Sequence, residues 1–203
     1  MPKVSPLEEH LEALSKCRRC SGMQPPPITP GPVCSRVLLV GQAPGAREPV
    51  LGRPFAWTAG KTLFKWMKEA TSLDEEVFRQ RVYISAVCRC FPGKNPKGGD
   101  RVPNQTEIAA CRPWLEAEME LLKPKLVLPI GKLAISQFMP VNKLVDVIGD
   151  CHADIKWRGH RFDIVPLPHP SGASTWHRMA PGKALTEQAL AVLATHPAIS
   201  DLR

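Results

Sequence analysis

The chain is 203 residues long and 43% apolar, enough for a sizeable core, and no apolar run approaches the length of a helical membrane span. Its formal charge of +8 favours an anionic partner, nucleic acid being the commonest, over a cationic or membrane-inserted one. The seven cysteines are an odd number, and the first residues, MPKVSPLEEHLEALSK, lack the apolar stretch of an export signal. A disulfide framework is thereby disfavoured, and we expect a cytoplasmic protein whose thiols bind metal or lie buried.

Pro6 to Lys16 carries Leu7, Leu11 and Leu14 on one face and Glu8 and Glu9 in its first turn, which predicts a helix. Cys17-Arg18-Arg19-Cys20 follows, and the proline-rich stretch from Met23 to Pro32 reads as an extended, exposed connection. Val37 to Val40 is a short apolar run stopped by Gly41-Gln42-Ala43-Pro44-Gly45, the pattern of a buried parallel strand and its carboxyl-end turn. Ala46 to Trp57 is a loop, and Gly60 to Thr71, with Leu63, Phe64, Trp66 and Met67, is a helix. Val82 to Val87 is a second strand leading to Cys88-Arg89-Cys90, and Phe91 to Val102 is a basic loop.

A helix starts near Asn104 with Glu107 placed to cap it and carries Cys111 and Trp114. Lys125 to Ile130 is a third strand ending at Gly131, and Leu133 to Met139 a short helix. Cys151 to Arg161 reads as an edge hairpin turning at Arg158-Gly159, and Phe162 to Leu167 as a fourth strand running into Pro168-His169-Pro170-Ser171. The last helix covers roughly Gly182 to Thr195. Strands alternating with helices predict a parallel sheet with helices on both faces, whose ligands lie beyond the carboxyl ends of the strands.

Two constellations carry chemistry. Cys17, Cys20, Cys90 and Cys111 come from segments that could converge on zinc or an iron–sulfur cluster. Cys88 and Cys90, two apart on or near a strand, are expected to point to opposite faces, so one of them belongs to the site. His169, stiffened by flanking prolines at a strand end as Gln42 is, could donate to an oxygen that gains negative charge. Phe55, in Gly52-Arg53-Pro54-Phe55, could stack on a planar ligand. Lys94, Lys97, Arg101, His177 and Arg178, with Trp176 and Met179 interleaved, could hold phosphates and wedge into a base stack. Gly60-Lys61-Thr62 copies the tail of a phosphate-binding loop, but Phe55 stands at the required leading glycine and no strand precedes it, so triphosphate binding is rejected.

Five motifs in order, GQAPG, GRPF with Ala59-Gly60, VYISAVCRC, EIAACRPW and HPS, make the chain resemble the uracil-DNA glycosylase superfamily, most of all its iron–sulfur family 4, from Cys17 to the last helix. The resemblance implies one domain over residues 1–203, a three-layer αβα sandwich around a four-stranded parallel sheet. It also implies a monomer and a [4Fe–4S] cluster on Cys17, Cys20, Cys90 and Cys111. It further implies hydrolysis of the N-glycosidic bond of uracil in DNA; the alternative is a binder of uracil-containing or abasic DNA that does not cut. Gly41, Ala43, Gly45 and Phe55 would then form the uracil pocket, His169 would stabilise charge on the uracil O2, and Ser171, His177 and Arg178 would contact DNA.

This chain departs from the family pattern at three positions. Ala43 replaces the Asp of the best-known uracil glycosylases, and Gln42 replaces the usual family 4 Glu, so Glu48 becomes the candidate acid, with Gln42 orienting water. Ala86, where many family 4 enzymes have Asn, is similar to family 5; it leaves backbone groups, with Ser85, to read the base and predicts tolerance of other deaminated bases. No histidine lies in Phe91 to Ala110, which disfavours the covalent capture of DNA seen in a related subgroup.

Overall fold

The computed structural model describes residues 4–96 and 98–202. Strand β1 (Val37–Gly41), buried along its whole length, lies between two parallel neighbours. These are β2 (Tyr83–Ala86), with Leu39 opposite Ile84, and β3 (Leu126–Pro129), with Leu39 opposite Leu128. β3 also pairs in parallel with β5 (His160–Ile164), and β4 (His152–Trp157) lies antiparallel on the outer side of β5. The sheet order is β2-β1-β3-β5-β4.

The expected four parallel strands are present, but the sheet has a fifth, antiparallel member. The hairpin and the fourth strand, read separately in the sequence, are one element. Arg158 and Gly159 both adopt positive φ, 47° and 88°, the two-residue turn that matches strand twist, and it folds β4 back on β5. Beyond Ile164 the strand continues as a bridge between Ile130 and Leu167, so β3 and β5 deliver their following loops to the same end of the sheet.

Alternation along the central strands divides the core. Val37, Leu39, Leu126 and Leu128 face a layer built from α3 (Thr58–Thr71), α4 (Glu75–Arg81), α7 (Gly182–Ala194) and α8 (Pro197–Ser200). Leu38, Val40, Tyr83 and Val127 face α1 (Pro6–Ser15) and α5 (Gln105–Leu122). Two of these helices start as their sequences require. Ser5 and Glu8 cap α1 reciprocally, and Asn104 and Glu107 do the same for α5.

Two local readings are corrected. The stretch from Met23 to Pro32 is not simply exposed. Met23 and Ile28 are buried, and the backbone N–H groups of Gln24 and Ile28 donate to the carbonyls of Phe91 and Arg89 at 2.8 and 2.7 Å. Proline blocks a helix there, but an extended chain can still pair with a neighbouring segment. Helix α4 was not anticipated. It has seven residues and starts where Asp74 accepts from the Val77 N–H at 2.9 Å; so short a segment shows almost no apolar periodicity.

Candidate active site and cysteine cluster

The loops after β1, β2 and β5 enclose a cleft of about 920 Å3 whose lining includes Gln42, Ala43, Phe55, Asp100, His169 and Ser171. Gly41, Gly45, Glu48 and Ser85 line it as well. The two strand-end loops expected to face one crevice, one bearing an amide and the other an imidazole, do share it.

Phe55 is held in place by what surrounds it. A Cβ on Gly41 would lie 2.7 Å from the tip of its ring, and a Cβ on Gly60 would lie 1.8 Å from its carbonyl oxygen. A side chain at Gly41 would push the ring aside, and one at Gly60 would displace the Phe55 backbone. Phe55 has φ 52°, a conformation a bulky residue keeps only where its surroundings over-determine it. Arg79 of α4 does part of this. Its Nη1 and Nη2 donate to the carbonyls of Pro54 and Phe55 at 2.8 and 3.2 Å. Its guanidinium also lies over the Phe64 ring at 4.3 Å. Sequence reasoning missed Arg79 because the helix that carries it went unseen.

Glu48 opens the four-residue helix α2 (Glu48–Leu51) and is buried. Its Oε2 accepts from the Gly45 N–H at 2.9 Å and its Oε1 from the Ala56 N–H at 3.2 Å. Burial raises the carboxyl above its ordinary value, and these backbone donors offset the rise only in part. The side chain clamps the GQAPG loop to the Phe55 segment.

His169 sits against Gly131, whose φ is 84° and whose Cβ, if present, would lie 3.1 Å from that of His169. Its Nδ1 accepts from the Ser171 N–H at 3.3 Å. In the neutral ring the proton is therefore on Nε2, which is then the donor. Burial holds the imidazole below its ordinary value; His177 acts in the same direction, and Asp100 opposes it.

Three expected side chains have other partners. The Ser85 hydroxyl donates to Glu118 Oε2 at 2.7 Å, on the layer away from the cleft. There Glu118 also accepts from Tyr83 at 2.7 Å and from both Arg89 Nη atoms at 2.8 and 2.6 Å. Only the backbone of Ser85 remains for the cleft. His177, expected on the DNA-contacting segment, is buried edge-on to Trp66 with ring centroids 5.1 Å apart, so it supports that segment from beneath. Arg178 is exposed, with Nε 3.3 Å from the His177 ring. Arg101 grips Glu107 with both Nη atoms at 2.8 and 2.7 Å and so braces its loop. Lys97 lies outside the described residues.

Cys17, Cys20, Cys90 and Cys111 converge beside α1 and α5. Burial, Cys111 and Cys17 push the Cys20 thiol up to about 11. Burial with Cys111, Cys17 and Cys20 pushes Cys90 to about 12. Cys111 goes the other way, held at about 6 chiefly by a hydrogen bond from Cys88, so a set of sulfur donors with one thiol poised to ionise fits a positively charged metal cluster. Cys88 was expected to point away from this group, yet its thiol also lies beside Cys111. β2 ends at Ala86 and the chain bends through residues 87–90, so strict alternation no longer applies. Elsewhere, Cys151, Asp163 and His196 bring ligand atoms within 4.8 Å of one another. There His196 Nδ1 accepts from the Ala198 N–H at 3.1 Å, and Nε2 faces Asp163 Oδ2 at 3.1 Å. With Nδ1 accepting, the neutral ring carries its proton on Nε2 and donates it to Asp163, so the His196–Asp163 pair ties β5 to α8. Among the described residues no helix is long and apolar enough to cross a membrane.

Comparison with known proteins bears on this cleft directly. The type-4 uracil-DNA glycosylase of Sulfurisphaera tokodaii is 33% identical over 177 residues, 82% of this chain and 75% of that one. The type-4 enzyme of Saccharolobus solfataricus is 29% identical over 143 residues, and the match spans 62% of its length. The type-5 enzyme of Pyrobaculum aerophilum is 33% identical over 119 residues, half of its own length. The family model described as the uracil DNA glycosylase superfamily matches residues 29–194, a stretch that holds the GQAPG loop, Phe55, Cys90, Cys111 and His169. With both walls of the cleft inside a match that takes in most of its length, this chain belongs to the uracil DNA glycosylase superfamily.

Proposed function

We propose that the protein hydrolyses the N-glycosidic bond of deoxyuridine in DNA and leaves an abasic site. The observation that carries this reading is the shared cleft, in which the Phe55 ring and the His169 imidazole meet the GQAPG loop. Such a cleft cannot reach a base inside a duplex, so the nucleotide must first be extruded, at a cost of a few kcal/mol that is least in single strands and mismatches. Phe55 then stacks on the uracil. His169, neutral and with its proton on Nε2, donates to the O2 on which charge grows as the bond breaks. A donor of this kind is worth about 100-fold to 1,000-fold in rate. Gln42 is an amide and orients the attacking water without taking its proton.

With the Ser85 hydroxyl bound to Glu118 and Ala86 at the neighbouring position, backbone groups read the uracil edge. Such a pocket should also accept other deaminated bases. Ser171 and the exposed Arg178 would contact the DNA backbone. Cys17, Cys20, Cys90 and Cys111 would hold a [4Fe–4S] cluster. When bound, the cluster supplies a covalent cross-link between the segment after α1, the bend after β2 and α5. It would brace the DNA-facing loops and take no part in the cut.

The test is incubation of purified protein with a labelled uracil oligonucleotide, followed by alkali. Strand breakage at uracil alone, abolished or greatly slowed in His169→Ala, supports the reading. An intact strand accompanied by a gel shift would assign the protein to non-catalytic binding instead. Iron and acid-labile sulfide in equal amounts, lost in Cys111→Ala, would support the cluster.

A further inference from the structure

Neither Gln42 nor Ala43 carries a carboxylate, and Glu48 already receives two backbone N–H groups in the interior. Among the described residues, one acid on the cleft wall accepts from no backbone N–H. Asp100 comes from the loop after Cys90 and lines the cleft together with Gln42 and His169. Its Oδ2 lies 3.2 Å from the point a Cβ on Gly45 would occupy, so it abuts the GQAPG loop itself. Its other oxygen, Oδ1, accepts from Lys94 Nζ at 2.6 Å. That contact keeps a cation beside the acid and leaves Oδ2 turned to the loop. The side chain is 39% exposed, so water reaches it in the free protein.

We propose that Asp100 is the carboxylate that takes the proton from the attacking water, which deepens the glycosylase reading above and rests on it. In this step the bond from the sugar C1′ to uracil N1 breaks and its electron pair leaves with the base, spreading to O2 opposite His169. The water oxygen forms its bond to C1′, and the water proton passes to Asp100 Oδ2. From there it goes to solvent or to the departing uracil anion, so the carboxylate is restored. While ionised, Asp100 also places a negative charge next to a sugar with cationic character. Sequence reasoning named Lys94 and Arg101 in this loop and passed over the acid between them, because its distance from the GQAPG loop in sequence hides its nearness in space.

The experiment compares full-length wild type with Asp100→Asn and Asp100→Ala. Uracil release is measured in single turnover, with binding measured separately on DNA carrying non-cleavable 2′-fluoro-deoxyuridine. We expect Asp100→Asn to cut about 100-fold more slowly with binding essentially unchanged. Added formate should restore a substantial part of the rate of Asp100→Ala, which has room for it, and should leave wild type and Asp100→Asn unaffected. Asp100→Asn cutting within about twofold of wild type would overturn the proposal. So would a slow Asp100→Ala that binds DNA normally and ignores formate. Absence of any uracil release from wild type would instead overturn the glycosylase reading, and this role with it.

Discussion

Replacing Gly60 by Ala tests how rigidly the fold fixes the stacking ring. The added methyl would lie 1.8 Å from the Phe55 carbonyl oxygen and 2.8 Å from its carbon, against an ordinary contact of 3.4–4 Å. Both obstacles are backbone, so no rotamer change relieves them, and the Phe55 segment must retreat by roughly 1.5 Å. That retreat breaks the 3.2 Å bond from Arg79 and strains the 2.8 Å bond to Pro54. Overpacking of this kind costs about 1–3 kcal/mol, while alanine in a helix returns about 1 kcal/mol relative to glycine. A net loss of about 1 kcal/mol corresponds to a fall in Tm of about 3 °C in a chain of this size. The effect on rate is larger, because a reacting geometry displaced by about 1 Å loses on the order of 100-fold. Thermal unfolding and single-turnover uracil release measure the two effects. Gly31→Ala is the control, since nothing lies within 4 Å of its Cβ position. A Gly60→Ala protein that unfolds and cuts as wild type does would refute the placement of Phe55.

Glu118→Ala should destabilise the protein by about 3–5 kcal/mol in urea unfolding, because the fully buried Arg89 would lose the carboxylate it is paired with. Burial alone would raise the Glu118 carboxyl, but the Arg89 charge, with His10 and Tyr83, outweighs it and holds the group at about 2. A folded pKa below the ordinary 4.5 means that the carboxylate's contribution is complete above that value. It is lost as pH falls toward 2, a loss that urea titrations at stepped pH should show in wild type and not in Glu118→Gln. For His169 burial acts in the opposite chemical sense and favours the neutral ring. Its contribution is complete above pH 6.5 and lost as pH falls through the lowered value, so imidazole NMR at pH 6.5 should find a ring mostly neutral. Cys111→Ser should speed hydrogen exchange across Cys17 to Ile28, the segment that the cysteine site and the Phe91 and Arg89 carbonyls together hold down. Exchange no faster than in wild type would remove the bracing role of the cluster.

Much of this protein is local and therefore legible in one dimension. An unbroken apolar run such as Val37–Val40 must be buried on both faces. Reciprocal caps at Ser5 and Glu8, or at Asn104 and Glu107, start helices through contacts three residues apart. Glycine between strand and loop marks where a backbone or ring comes close, and five motifs in order pointed to the family and to a cleft beyond the strand ends. What the linear order could not carry are relations between segments that meet only after folding. Whether an acid clamps a loop or faces water depends on which N–H groups surround it, and that separates Glu48 from Asp100. Whether a hydroxyl or an imidazole reaches DNA depends on what packs behind it, and Glu118 and Trp66 removed Ser85 and His177 from that surface. Arg79 holds Phe55 from a helix too short to announce itself. Periodicity reports burial along one element, whereas the direction of a side chain and the partner it meets are settled by the packing of several elements at once.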